Sequence, residues 1–166
     1  MLIRSLSLLL LINCAYVQAE PVEFSLKDLD GKVHTIKAYA GKWVVVNYWA
    51  TWCPPCLEEI PELVAFHEKH KDKDAVVLGV DFEIVDEKYL RQFIEESFIS
   101  YPIMQTKPGA KSPFGMIYGL PTTFLISPNG EVVASKTGGV TQADLEDSLT
   151  YFGQQLANDK QKQKKK

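Results

Sequence analysis

Cysteine and histidine are scarce here, at three residues each in a chain of 166. Cys53 and Cys56 stand two residues apart with no second such pair, which argues against a four-ligand zinc clip. His67 and His70 follow Cys56 by eleven and fourteen residues and are expected at solvated helix positions; no metal site is expected. Long apolar runs are missing too, since Leu6 to Ile12 is too short to cross a bilayer. Basic residues are sparse through the body of the chain. From Glu20 to Asp159 there are 12 lysines and arginines against 21 acidic residues, a net charge of −9. An acidic body argues against nucleic acid as a partner. No internal repeat is present.

The amino terminus has the makings of a secretory signal peptide over residues 1–19. Arg4 supplies the basic start, Leu6 to Ile12 the apolar stretch, and Val17-Gln18-Ala19 a small-residue cleavage site before Glu20. Leu11-Ile12-Asn13-Cys14 has the outline of a lipid-attachment box, but Asn13 stands where a small residue is needed. Export with cleavage is therefore the expectation, with a periplasmic location, and Cys14 leaves with the leader. Cys53 and Cys56 then remain alone in an oxidising compartment. One domain is expected over residues 20–156. Residues 157–166 hold five lysines, Lys160, Lys162, Lys164, Lys165 and Lys166. They read as a basic disordered tail, with a weak contact to anionic lipid as its sharpest use.

Hydrophobic patterning places the elements. Phe24 to Ile36 reads as a hairpin turning at Asp30-Gly31. The continuous apolar runs Trp43–Ala50 and Ala75–Phe82 read as strands buried on both faces. A helix from about Cys53 to His70 carries Leu57, Ile60, Val64 and His67 at helical spacing, with Pro61 inside it as a kink. Asp86 to Ser97 forms an amphipathic helix with Tyr89, Leu90, Phe93 and Ile94 inward. A short strand follows near Tyr101–Met104, and then a loop rich in Pro, Gly, Lys and Ser. Thr122–Ile126 and Glu131–Lys136 pair about the Pro128-Asn129-Gly130 turn. Thr141 and Asp144 resemble a capping box opening a last helix to about Leu156. Alternating strands and helices predict a three-layer α/β sandwich.

The chemistry centres on YWATWCPPCLEEIP, Tyr48 to Pro61. Cys53 falls where a buried strand ends and a helix begins, so the helix N-terminus stabilises its thiolate. Pro54 and Pro55 suit the first helical turn, where a missing amide hydrogen costs little. Cys53 is then presented outward as a nucleophile and Cys56 sits one turn inward as the resolving thiol. A disulfide closing so short a loop constrains the unfolded chain little, so a working redox couple is the better reading. Trp52 is expected at the rim of that couple as an apolar contact for partners, and Trp43 and Trp49 in the core.

WATWCPPC followed by GLPTTFLISPNGE resembles the thioredoxin superfamily, and more narrowly its exported TlpA/ResA-like thiol-disulfide oxidoreductases, over Phe24 to Phe152. The resemblance implies a thioredoxin-like fold with an N-terminal β-hairpin. Pro121 follows Cys56 by 65 positions, a span that accommodates the branch's central helix–strand insertion. It further implies that Pro121 is a cis-proline packed on the disulfide, and that the backbone of Leu120 pairs with an extended substrate. Asn47 stands where cytoplasmic thioredoxins bury an aspartate, and an amide cannot relay protons. Glu59, three residues after Cys56 on one helical face, matches the family's C-x-x-E-x-P acid and is assigned to accept the proton of Cys56. Glu58 is assigned to solvent.

The resemblance thus implies a protein-disulfide reductase acting on client proteins with disulfides, re-reduced by a membrane thiol-electron donor and needing no cofactor. Two departures bear on the client. KSPFGMIYG before Leu120 does not follow the family's short helix, and a Gly-Ala-Pro-Glu run linked with cytochrome c maturation is missing. The rivals are a disulfide-donating oxidant or isomerase of the same fold, a peroxidase, and a copper-binding or delivery protein using the two thiolates. Pro54-Pro55 lacks the histidine found between the cysteines of strong oxidants. No convincing third copper ligand is evident.

Overall fold

The computed structural model describes residues 22–109 and 111–164; the expected leader, with Cys14, lies outside the described residues, as do Lys165 and Lys166. Strands β1 (Ser25–Lys27) and β2 (Val33–Thr35) form the amino-terminal hairpin, and a 3-10 turn follows at Ile36–Tyr39. Next come β3 (Trp43–Trp49), α1 (Pro54–His70), β4 (Ala75–Phe82), α2 (Glu87–Glu96) and β5 (Ile103–Thr106). The chain finishes with β6 (Thr122–Ile126), β7 (Val132–Thr137) and α3 (Gln142–Lys164).

The main sheet has the order β5-β4-β3-β6-β7. Strands β3, β4 and β5 run parallel, while β6 and β7 pair antiparallel to their neighbours. All seven residues of β3 are buried, as its apolar run requires of a central strand with both faces covered. One face carries Trp43, Val45 and Trp49 against Ile60, Leu63 and Phe66 of α1, Leu90 of α2, and Leu145 and Leu149 of α3. The other carries Val44, Val46 and Tyr48 against Phe24, Ile36 and Phe114. The sandwich therefore has helices on one face only. Its third layer is the hairpin, the 3-10 turn and the loop before β6, because the described residues of the connection from β5 to β6 form no helix. Packing is tight beneath the helices: a Cβ on Gly79 would lie 2.4 Å from Ile103 Cδ1 and 3.0 Å from Tyr101 Cε2.

Helix boundaries follow local chemistry. The Asp86 carboxylate caps α2 by accepting the N–H groups of Lys88 and Tyr89. Within α2 only Leu90 is fully covered, and Tyr89 is half exposed rather than inward because it stands at the edge of the Leu90 stripe. Thr141 Oγ1 accepts the Asp144 N–H, and Asp144 Oδ2 accepts the Thr141 N–H, both at 3.1 Å. That reciprocal pair opens α3 as expected. The helix then runs beyond Leu156 to Lys164, which corrects the disordered tail expected from residue 157. Residues 157–164 contain neither Gly nor Pro and are mostly helix formers. Asp159 and Lys162 add a contact at 3.7 Å. Among the described residues no helix is long and apolar enough to cross a membrane.

The hairpin is held by a buried polar set. Asp28 Oδ1 accepts the N–H groups of Asp30 and Lys32, with Gly31 at φ +84° completing the turn. Asp28 Oδ2 lies 2.7 Å from Nε2 of the buried His34, whose Nδ1 meets the Tyr39 hydroxyl. Burial pushes the Asp28 carboxyl up, but the bonds from His34 and the turn outweigh it and hold the group below its usual range. A depressed carboxyl stabilises the fold above its unfolded pKa, and that contribution is lost as pH falls through the folded value. Asp28→Asn should accordingly destabilise the protein by about 1–2 kcal/mol at pH 7. Thermal melts of both proteins from pH 7 to pH 2 should show the gap closing at the acid end. A gap that stays constant would mean that the carboxylate charge contributes nothing.

Candidate functional site

Strand β3 delivers the chain to a tight turn. The Cys53 N–H donates to Ala50 O at 3.2 Å, so Ala50 to Cys53 fold back on themselves before α1 begins. Cys53 is the N-cap residue of α1, in extended conformation (φ −92°, ψ 105°), and Pro54 and Pro55 occupy the first helical positions. The N–H groups of Cys56 and Leu57 then donate to Cys53 O at 3.0 and 3.1 Å. Cys53 and Cys56 are joined as a disulfide with Cα atoms 5.3 Å apart. No acidic residue lies in the first turn of α1, so nothing on the helix itself offsets its positive end.

Cys53 is less open than the turn suggested. It is 3% exposed against 0% for Cys56, and both belong to the helix-side core with Trp49, Ala50 and Ile60. The disulfide ties Cys53 to a residue one turn inward, and this keeps its surface small.

Glu59 lies beneath the couple, one turn past Cys56, and is 3% exposed. Its Oε1 accepts Asn47 Nδ2–H at 2.8 Å and its Oε2 accepts the Val140 N–H at 2.9 Å. Burial pushes the carboxyl up, and the bonds from Asn47 and Val140, with Lys136 farther off, only partly offset this; its pKa rises to about 7. Asn47 donates its second amide hydrogen to Thr123 Oγ1 at 3.0 Å. Thr123 faces Asn47 across the β3–β6 pairing. Asn47 therefore orients the acid, which its identity alone did not reveal. Glu58 is exposed.

The Leu120–Pro121 peptide bond is cis. Pro121 is buried, and its carbonyl accepts the Gly138 N–H at 2.8 Å. Neither backbone group of Leu120 bonds to another described backbone group outside the regular elements. Beside it, Trp52, Glu83, Ile84, Ile117, Tyr118 and Leu120 line an open groove. Trp52 is 67% exposed and Ile84 and Tyr118 are each 81% exposed, leaving an apolar rim around the cysteines.

His67 corrects another expectation. It is buried, and its Nδ1 accepts the Val77 N–H at 3.1 Å. Val77 lies beyond the reach of β5, which pairs only with Gly79 to Phe82, so the helix supplies the missing partner. Burial pushes His67 down from its usual pKa. His70, by contrast, meets Asp74 Oδ1 at 2.8 Å near the surface.

Sequence reasoning missed a second acidic pair. Asp81, at the end of β4, is fully buried, and Glu83 is 9% exposed. Burial first, then the charge of Glu83, pushes Asp81 up to about 8. The available signal was an Asp inside an apolar strand, AVVLGVDF.

Comparison with known proteins follows from this geometry. The AhpC/TSA family model matches residues 17–135. The thiol-disulfide oxidoreductase ResA of Geobacillus kaustophilus is 36% identical over 129 residues, 76% of this chain and 72% of that protein. A thiol:disulfide interchange protein of Chlorobium tepidum superposes with a TM-score of 0.70 at 29% identity, covering 81% of this chain and 97% of that one. The exposed lipoprotein thioredoxin of Streptococcus pneumoniae superposes at 0.67 with 25% identity, covering 78% and 98%.

The elevated Glu59 carboxyl has a consequence for stability. A group raised in the folded state contributes stability that is lost as pH rises through its folded pKa. The difference in melting temperature, Glu59→Gln minus the natural protein, should therefore grow more positive as pH rises from about 5 to about 7, between the unfolded and folded values, and level off above that. A difference independent of pH would show that Glu59 titrates normally.

Proposed function

The chain belongs to the AhpC/TSA family of thioredoxin-like proteins and is a thiol-disulfide oxidoreductase of ResA type, and we propose that it works outside the cytoplasm as a reductant of client disulfides. The observation that carries this reading is the Glu59 carboxyl, buried one turn beyond the Cys53–Cys56 disulfide and held there by Asn47 and the Val140 N–H.

The reduced protein begins with the Cys53 thiolate at the N-terminus of α1. That sulfur attacks one sulfur of a client disulfide, and the client's other sulfur leaves as a thiolate and takes up a proton. A mixed disulfide now joins Cys53 to the client. Glu59 accepts the proton of Cys56, whose thiolate attacks the Cys53 sulfur. The second client sulfur departs and is protonated. The client has gained two electrons and two protons, and the protein holds its Cys53–Cys56 disulfide. A membrane dithiol donor then returns the electrons by the same exchange in reverse.

A carboxyl near pKa 7 suits this duty. It is partly ionised at neutral pH, so it accepts a proton without being too weak a base. The same buried charge disfavours a neighbouring thiolate. A less stable thiolate means a less stable dithiol, which favours giving electrons away. The helix N-terminus acts in the opposite sense at Cys53.

Client contact is assigned to the rim. Trp52 offers an apolar face, and the backbone of Leu120 is placed to pair with an extended client strand beside Pro121. Export is supported by the leader-like residues 1–19 and by relatives such as the pneumococcal lipoprotein.

Equilibration with a thiol buffer tests the direction. A potential near the roughly −270 mV of thioredoxin is expected, and one near the roughly −120 mV of a strong oxidant would overturn the reductive reading. Glu59→Gln should slow release of a mixed disulfide by about 10–100-fold at pH 7, followed by quenched-flow sampling. Unchanged release would remove Glu59 from the proton path.

A further inference from the structure

The turn that carries Cys53 is held from below by a group outside the reaction just described. Glu83 Oε1 accepts the Thr51 N–H at 2.7 Å, and Thr51 is an inner residue of the turn closed by the Cys53 N–H and Ala50 O. The ends of such a turn lie within about 7 Å of each other. A carboxylate bonded to it is therefore on the order of 10 Å or less from Cys53.

Glu83 does not stand alone. Asp81 comes from the same strand end, is wholly buried, and interacts with Glu83 side chain to side chain. Asp81 Oδ2 accepts Gln105 Nε2–H at 3.2 Å, and Gln105 also donates to Val85 O. Asp81 Oδ1 is buried with no partner from a described residue. Asp81, its carboxyl raised to about 8, is largely protonated at neutral pH, and Glu83 is the member of the pair that reaches the turn. Asp81 faces Trp49 from β3 and Gln105 from β5, and α2 presents Phe93 to Trp49. Glu83 is the charged group acting on Asp81. Among the described residues no Lys, Arg or His forms a salt bridge with either carboxyl. Glu59, buried one turn past Cys56, is acted on in turn by the charge of Lys136.

We propose that the Asp81–Glu83 pair is a tuning and positioning element of the redox couple, clamping the Cys53 turn through Thr51 while its uncompensated negative charge disfavours the Cys53 thiolate. Glu83 bonds to the Thr51 N–H and to neither sulfur. It acts through the Thr51 backbone and through the electric field, where the helix N-terminus acts with opposite sign. The pair thereby makes Cys53 a weaker acid than its helix position alone would dictate. This deepens the reductive reading and rests on it for its direction, because an unstable thiolate favours the disulfide product.

The Asp81→Asn/Glu83→Gln double variant separates the parts. It keeps the shape of both side chains and an acceptor for the Thr51 N–H, and it removes the charge. The Cys53 thiolate should be titrated by its ultraviolet absorbance and by iodoacetamide alkylation against pH. The acid dissociation constant of Cys53 should rise about tenfold in the double variant. At pH 9, equilibrium with a thiol buffer should move towards the dithiol by about the same factor. Asp81→Asn alone, which keeps the Glu83 charge, should leave the Cys53 titration near its natural position. Glu83→Ala loses clamp and charge together, and restoration of its exchange rate in Glu83→Gln would isolate the clamp. A double variant whose Cys53 ionises within twofold of the natural protein overturns the tuning role. So does a Cys53 that becomes a weaker acid. A natural protein with an oxidant's potential would instead sink the reductive reading, whatever the variants do to Cys53.

Discussion

The two amide hydrogens of Asn47 are the constraint on which the site depends. Asn47 is buried in the middle of β3, and it donates one hydrogen to Glu59 on α1 and the other to Thr123 on β6. Those three elements carry the chemistry. Strand β3 leads into the Cys53 turn, α1 holds Cys56 and Glu59, and β6 begins directly after Pro121. One side chain thus registers the nucleophile's strand, the resolving cysteine's helix and the cis-proline segment against one another. A buried amide left without partners is costly, so none of the three can slide without breaking a bond that nothing else replaces.

An amide suits this position better than a second acid would. A carboxylate at residue 47 would face Glu59 across hydrogen-bond distance, and two buried like charges so close cannot both ionise. With Asn47 as donor, Glu59 is the one acid of that contact, on the turn next to Cys56. The Val140 N–H fills the other oxygen, so the acid is held at both ends. Burial raises its pKa while these bonds lower it, and burial prevails only far enough to reach about 7. Charges around the couple are then graded: a positive helix end at Cys53, a titrating acid past Cys56, and the carboxyl pair beneath the turn.

Much of this was legible in the chain because the signals are local. The β3 and β4 runs are apolar without interruption, Thr141 and Asp144 sit at capping distance, and C-P-P-C meets a strand end; each depends on neighbours within a few residues. The parts that were not legible depend on distant partners. His67 looks like a solvated helix residue until the short β5 leaves the Val77 N–H unpaired. Asp81 and Glu83 read as the polar end of a strand, and only the fold brings Glu83 under Thr51. The helical continuation to Lys164 rests on residue propensity, which the run of lysines hides. Among the described residues no α-helix lies on the hairpin face, where KSPFGMIYG, interrupted by proline and glycine, covers the sheet as a loop through Phe114.

That same segment shapes what can approach the couple. Phe114 is buried and stacks near Phe24 and Phe124 at 5.1 and 5.8 Å, whereas Met116 and Tyr118, two and four residues later, are 71% and 81% exposed. The loop is anchored at one end and presents its side chains at the other, close to Leu120. Backbone pairing at Leu120 would accept almost any extended sequence, since main-chain hydrogen bonds carry no side-chain information. On the proposed reading, selectivity would come from the apolar rim of Trp52, Ile84 and Tyr118 and from the net negative charge of the body, which would disfavour acidic clients. Only Tyr118 of that rim belongs to the anchored loop; Trp52 adjoins Cys53 and Ile84 adjoins Glu83, so the apolar rim and the redox couple share their supports.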